Sequence, residues 1–127
     1  MKTLANYFKM VPISDFSSFD GEKIITISGA DADHIPTNNE LVLTEAPETE
    51  NAAGSVYKQS LRAVTDKLTD AQREVYVNRR PVIVLLFTDD GEPVLWGSAD
   101  NKLRITITPT PDADIIDFSR TALEPVF

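Results

Sequence analysis

Two segments of the chain alternate between apolar and polar residues, which is typical of strands that bury one face. In residues 102–108, Leu103, Ile105 and Ile107 alternate with polar or charged residues. Residues 22–28 show a similar pattern, in which Ile24, Thr26 and Ser28 alternate with Ile25 and Ile27. We therefore expect a half-buried strand in each segment.

The longest apolar run, residues 81–88, predicts a strand that is covered on both faces. The acidic segment 89–92 follows it, and its Asp-Gly pair is typical of a hairpin turn, because glycine tolerates the backbone angles that such turns need. We expect 93–97 to be the second strand of this hairpin. The strand at 102–108 would then complete a meander.

Residues 55–68 fit two interpretations. Their β-branched and aromatic residues favour an extended chain, and alternate positions would then share one face of a strand. Four apolar residues instead have helical spacing: Tyr57, Leu61, Val64 and Leu68. We favour a strand over 55–66, followed by a short helix that Thr69 caps and that ends before Pro81.

The remaining segments complete a mainly β prediction. Residues 7–13 form an aromatic and β-branched run, residues 14–21 have turn composition, and the tail from Ile115 onward is apolar enough for a last strand. The expected class is α+β, mainly β, with about seven strands and one short helix. The expected architecture is a β-sandwich or a partly closed barrel.

A long acidic loop at about 30–54 is expected within a single domain that spans 1–127. Its composition shifts to Asp, Asn, Glu, Thr and Pro, and only 41–43 is apolar enough for a strand. Residues 45–54 hold no large apolar side chain that could offset the entropy of ordering. We expect this part to be flexible in the isolated chain.

The charge of the chain is unevenly distributed around a net value of -8. Residues 24–57 hold six acids and no Lys or Arg, a net -6, whereas residues 58–80 carry a net +3. This split is either ordinary solvated surface or a pair of complementary patches that meet between copies. For the second case the expected contact residues are Glu45, Glu48, Glu50, Lys58, Arg62, Arg79 and Arg80.

Several chemistries lack the residues that they need. The chain has no cysteine, so disulfides, thiolate metal sites and cysteine nucleophiles are excluded. Its single histidine, His34, lies near Asp31 and Asp33, but this spacing does not define a metal site and favours a solvated loop. Trp96 lies in an apolar strand and is expected in the core or at an interface. We expect no catalytic residues, no metal and no cofactor.

One pattern goes beyond composition, over about residues 55–108. Its segments are Tyr57-x-Gln59-x-Leu61, a short helical stretch, Asn78-Arg79-Arg80-Pro81-Val82-Ile83-Val84-Leu85-Leu86, Asp89-Asp90-Gly91, Trp96-Gly97 and Leu103-Arg104-Ile105-Thr106. In the order of these segments the chain resembles small structural proteins of tailed phages and prophages, of the tail-tube or head-tail connector kind. The resemblance implies a β-sandwich or barrel with one packed helix, assembly into rings through long loops, and no catalysis.

The expected function is therefore a noncatalytic structural subunit of a phage-like particle that self-associates into rings or tubes. Its partners would be further copies of itself and other particle proteins, in the host cytoplasm during assembly and then in the virion. The negative charge opposes nucleic acid and anionic membranes, and neither a signal peptide nor a membrane span is expected. The alternatives are a monomeric carbohydrate- or peptide-binding β module and, less favoured, a small hydrolase that uses carboxylates.

Overall fold

Ten strands and one α-helix form the part of the chain that the computed structural model describes: residues 4–47, 56–76, 81–90, 92–98 and 101–122. The fold is mainly β within the α+β class, as the alternation predicted. The elements are β1 (Leu4–Pro12), β2 (Phe16–Phe19), β3 (Ile24–Thr26), β4 (Asp33–Pro36), β5 (Thr44–Pro47), β6 (Tyr57–Thr65), α1 (Asp70–Tyr76), β7 (Val82–Thr88), β8 (Pro93–Trp96), β9 (Arg104–Pro109) and β10 (Asp114–Ala122).

The strands form three antiparallel sheets, and none of them closes into a barrel within the described ranges. Sheet 1 has the order β4-β1-β7-β8, and sheet 2 has the order β5-β6-β10-β9. The third sheet is the hairpin of β2 and β3. Sheets 1 and 2 face each other, because Phe8 of β1 packs edge-on against Phe118 of β10 with ring centroids 5.3 Å apart.

Strand β7 is covered on both faces, which confirms the prediction from its apolar run. Val82, Val84 and Leu86 belong to the main core between sheets 1 and 2. Ile83 and Leu85 belong to a second apolar cluster, to which the β2–β3 hairpin contributes Phe16, Phe19 and Ile24. The molecule therefore has three layers, with sheet 1 in the middle.

The expected meander is wrong, because β9 pairs with β10 in sheet 2 and not with β8. Only an isolated bridge between Val82 and Leu103 joins the start of this segment to sheet 1. Gly97 lies on the connection between β8 of sheet 1 and β9 of sheet 2. Its φ is +102°, and a Cβ atom there would be 3.1 Å from the Val82 carbonyl oxygen, so both the backbone angle and the space favour glycine. The alternation of residues 102–108 correctly identified the buried side chains, but alternation does not specify the sheet that they cover.

The acidic segment at 30–54 is not one loop, which corrects the sequence prediction. It contains the edge strands β4 and β5, and Ile35, Leu41 and Leu43 are buried in the main core. These strands are short, and their few apolar residues are spaced among polar ones, so composition concealed them. Of the segment expected to be flexible, 45–47 pairs with β6, and 48–54 lies outside the described residues. Strand β2 likewise occupies part of the turn expected at 14–21.

The strand interpretation of 55–66 and the short helix after it are confirmed by β6 and α1. Thr69 caps the helix, since the Gln72 amide donates to Thr69 Oγ1 at 3.1 Å and the Thr69 amide donates to Gln72 Oε1 at 3.0 Å. This reciprocal pair satisfies two amides that a helix start leaves free.

Two side chains of α1 connect the helix to the sheets. Arg73 Nη2 lies 2.8 Å from both carboxylate oxygens of Asp114, which is fully buried and also accepts the Leu68 amide at 2.8 Å. The Tyr76 hydroxyl donates to Asp33 Oδ2 at 2.5 Å. Buried charges and hydroxyls need such partners, so these contacts determine where the helix lies.

We expect Val84→Asp and Leu85→Asp each to lower the free energy of unfolding by about 3 kcal/mol or more, because each places an unpaired charge in a different apolar cluster. Urea denaturation measures both values. Thr108→Asp, at an exposed position of β9, is the control and should have little effect. Wild-type stability in either core variant would mean that one face of β7 is wet.

We expect the stabilisation by Tyr76 to decline in alkaline solution. Burial, and then the hydrogen bond to Asp33 and its charge, raise the pKa of the Tyr76 hydroxyl above its ordinary value of 10.0. Above about pH 10 the unfolded chain loses this proton while the folded chain keeps it, so stability falls as pH rises. The stability difference between wild type and Tyr76→Phe should therefore shrink between about pH 9 and about pH 11. A constant difference would contradict this assignment.

Candidate functional site

The outer face of sheet 2 is largely exposed to solvent in the described part of the chain. Alternate residues of β6, β10 and β9 point away from sheet 1, and most of them are exposed. The strand register places Lys58 beside Thr121, and Ser119 beside Arg104. Hydroxyl and basic side chains therefore form this part of the face, whereas Val64, Ile115 and Asp117 lie elsewhere on it.

A groove of about 940 Å³ lies along the β9 edge of sheet 2. Arg104 lines it from the outer face, whereas Arg120, which is opposite Gln59 in the register, lines it from the inner face. Four basic side chains line it in total, from three different strands and the turn before β9, and none of the described residues that line it is acidic. Hydroxyl and amide groups of Asn101, Thr106, Ser119 and Thr121 complete the polar lining. We call it the basic groove and define it by Lys58, Lys102, Arg104 and Arg120.

Folding concentrates this positive charge. Lys102, Arg104 and Arg120 are the only basic residues in 81–127, a segment whose net charge is -5, and all three line the basic groove beside Lys58. Outside the four groove residues the chain holds 8 Lys and Arg against 20 Asp and Glu, a net -12. The basic groove is thus a positive site on a strongly negative molecule.

A buried hydrogen-bond network holds one of the four cations in place. Gln59 Oε1 accepts Arg120 Nε at 2.6 Å and Trp96 Nε1 at 2.9 Å, while Gln59 Nε2 donates to Glu45 Oε2 at 2.8 Å. Gln59 is fully buried, and burial lowers the pKa of Arg120, an effect that the Glu45 charge opposes. The network restricts Arg120 without occupying all of its donors.

The structure divides the residues predicted as contacts. Lys58 lines the basic groove, and Arg62 lines a smaller groove of about 460 Å³ on the same face, where its Nε donates to Asp117 at 2.8 Å. Glu45 is opposite Gln59 in the register, so its side chain lies on the other face of sheet 2 from Lys58. The other four predicted residues lie outside the described residues: Glu48, Glu50, Arg79 and Arg80.

Sequence reasoning missed the contribution of Lys102, Arg104 and Arg120. The alternation of 102–108 already placed the first two on the outer side of a strand. Summing charge over consecutive residues hid them, however, because they lie within an acidic segment. These residues meet because β9 and β10 lie on the same side of β6, and the sequence alone does not indicate this arrangement.

The other candidate chemistries have structural roles. Asp33 accepts the Tyr76 hydroxyl, and His34 stacks on Tyr7 with ring centroids 4.6 Å apart. No group of three His, Asp or Glu residues that could hold a metal ion occurs in the described ranges. Trp96 is fully buried, so of its two expected locations the core is the observed one.

Comparison of the chain with protein-family models, with curated proteins and with solved structures finds no match. Within the described ranges, the chain has no helix of the length and apolarity that crossing a bilayer requires. Function must therefore be inferred from the geometry of sheet 2.

We expect Gln59→Leu to lower the free energy of unfolding by about 1–3 kcal/mol, because it leaves the Trp96 and Arg120 donors without their acceptor. In a Trp96→Phe background the loss should be smaller, since one of the two donors is already gone. Urea denaturation of the four proteins in this cycle measures the coupling. An equal loss in both backgrounds would contradict the network.

Proposed function

We propose that this protein is a noncatalytic structural subunit of a phage-like particle that self-associates into rings or tubes. The observation that carries the proposal is the basic groove along the β9 edge of sheet 2 in a chain that is otherwise strongly acidic. A second copy of the chain is itself an anionic partner of the kind that this groove attracts.

The shape of the surface supports a protein partner. Lys58, Arg104 and Thr106 are exposed side chains on regular strands, so they present a broad and rigid surface rather than an enclosed cavity. Small-molecule sites are usually concave and largely apolar, whereas standard protein interfaces extend over a wide area with a polar rim. The exposed strands of sheet 2 are of the protein-interface kind.

The phage-like part of the proposal comes from the resemblance of residues 55–108. The elements in this range have the expected order: β6, the short helix α1, the β7–β8 hairpin and β9. These elements also contribute Lys58, Lys102 and Arg104 to the basic groove. The resembling segment and the proposed binding surface therefore overlap.

A monomeric binding module is the second candidate, and the lining of the basic groove is the observation that favours it. Ser119, Thr121 and Asn101 offer hydrogen bonds that an anionic peptide or glycan would use. A sugar ring usually needs an exposed aromatic surface as well, and Trp96 is fully buried in the core. An acidic peptide is therefore the better ligand for this alternative.

We expect the mass of the purified protein in solution to rise with concentration to multiples of 14.0 kDa. Light scattering and sedimentation measure the mass, and negative-stain electron microscopy shows whether the products are rings or tubes. Raising the salt from about 0.1 M to about 1 M shortens the Debye length from about 10 Å to about 3 Å and should weaken association. A monomer under all conditions would overturn the proposal and favour the binding module.

A further inference from the structure

The β5 edge of sheet 2, across the sheet from β9, carries exposed acidic residues. Sheets 1 and 2 have their first edge strands, β4 and β5, on one side, and their last strands, β8 and β9, on the other. The chain from residue 24 to residue 57 contributes β4 and β5 and holds no Lys or Arg. Asp31 and Glu40 are exposed there. We call this side, defined by Asp31, Glu40, Val42 and Thr44, the acidic edge.

We propose that the basic groove of one copy binds the acidic edge of the next copy. This inference rests on the proposed self-association and names the two surfaces that meet. Both surfaces belong to one molecule but are different patches of it, one along the β9 edge of sheet 2 and the other at its β5 edge. A contact in which one patch engages a different patch is heterologous, and repeating it yields closed rings or open tubes, depending on the rotation between copies.

The charged groups on both surfaces are available. The side chains of Lys58, Lys102 and Arg104 are exposed, and none of them has a hydrogen bond or an ion pair with another described residue. The same holds for the carboxylates of Asp31 and Glu40. By contrast, Arg62 is held by Asp117 within the chain, so it is the weaker candidate for a contact between copies.

The acidic edge also offers an apolar contact. Val42 is one of the three large hydrophobic residues exposed in the described part of the chain, and it lines the smaller groove together with Glu40 and Thr44. Exposed ion pairs are individually weak, so they set the register of an interface more than its strength. Burial of Val42 against the neighbouring copy would add to that strength.

The geometry of the network agrees with this assignment. Arg120 uses its Nε atom on Gln59 and a second nitrogen, Nη1, on the Asn101 carbonyl at 3.4 Å. An arginine carries five donor hydrogens, so donors remain for a carboxylate that enters the basic groove. The acceptor that fits them is a Glu or Asp side chain of the partner.

Single-cysteine variants test which surfaces meet, since the natural chain has no cysteine. Thr44→Cys lies on the acidic edge, Thr106→Cys lies in the basic groove, and Ser18→Cys on β2 is an exposed control. Thr44→Cys and Thr106→Cys, carrying tags of different mass, are mixed under mild oxidation. The expected product is the mixed disulfide dimer, in excess of both homodimers and of any dimer with the control.

Charge reversal supplies the matched comparison. Arg104→Glu and Lys23→Glu change the net charge by the same amount, but only Arg104 lines the basic groove. Arg104→Glu should weaken association at least about tenfold relative to Lys23→Glu. Equal effects of the two reversals, or predominant homodimers, would overturn the assignment of the two surfaces. The proposed function would still hold in that case, because it requires only that the wild-type chains associate. A wild type that stays monomeric at every concentration would overturn both.

Discussion

The enclosure of β7 is the constraint from which the rest of the architecture follows. Five consecutive residues of this strand, Val82–Leu86, are almost completely buried, so each face of sheet 1 must be covered by a separate layer. Sheet 2 covers one face, and the small β2–β3 hairpin covers the other. A chain of 127 residues then has no further element among those described to cover the outer face of sheet 2. Most of the described side chains on that face are accordingly exposed.

Polar groups are buried in this fold only where partners surround them. Asp114 and Gln59 are both fully inaccessible to solvent, and each is held by at least two groups from other elements. Asp114 locates the helix, and Gln59 locates Arg120. The described residues contain no buried side-chain nitrogen or oxygen atom that lacks a hydrogen bond. Sheet 2 is therefore supported by an interior that leaves little freedom for rearrangement.

The sequence predicted individual strands better than their neighbours. The run before Asp89 and the alternation around Ile105 report burial directly, because side chains in strands alternate between faces. Pairing depends on contacts between residues distant in sequence, so nothing near Leu103 indicates that β9 belongs to sheet 2. The same reason explains the basic groove, whose four cations come from three separate parts of the chain. Short edge strands such as β4 were missed because their pattern is too brief to recognise.

The topology also has a consequence for synthesis of the chain on the ribosome. Strand β1, the first strand, is paired on both sides, and one of its partners is β7, whose paired residues lie 70 or more positions later in the chain. Strand β6 likewise cannot pair with β10, the last described strand, until that strand has been synthesised. Neither large sheet can be completed until most of the polypeptide has emerged, and contacts at such separation form slowly. The nascent amino-terminal half must remain without its final partners during that interval, so its many acids would help to keep it from aggregating.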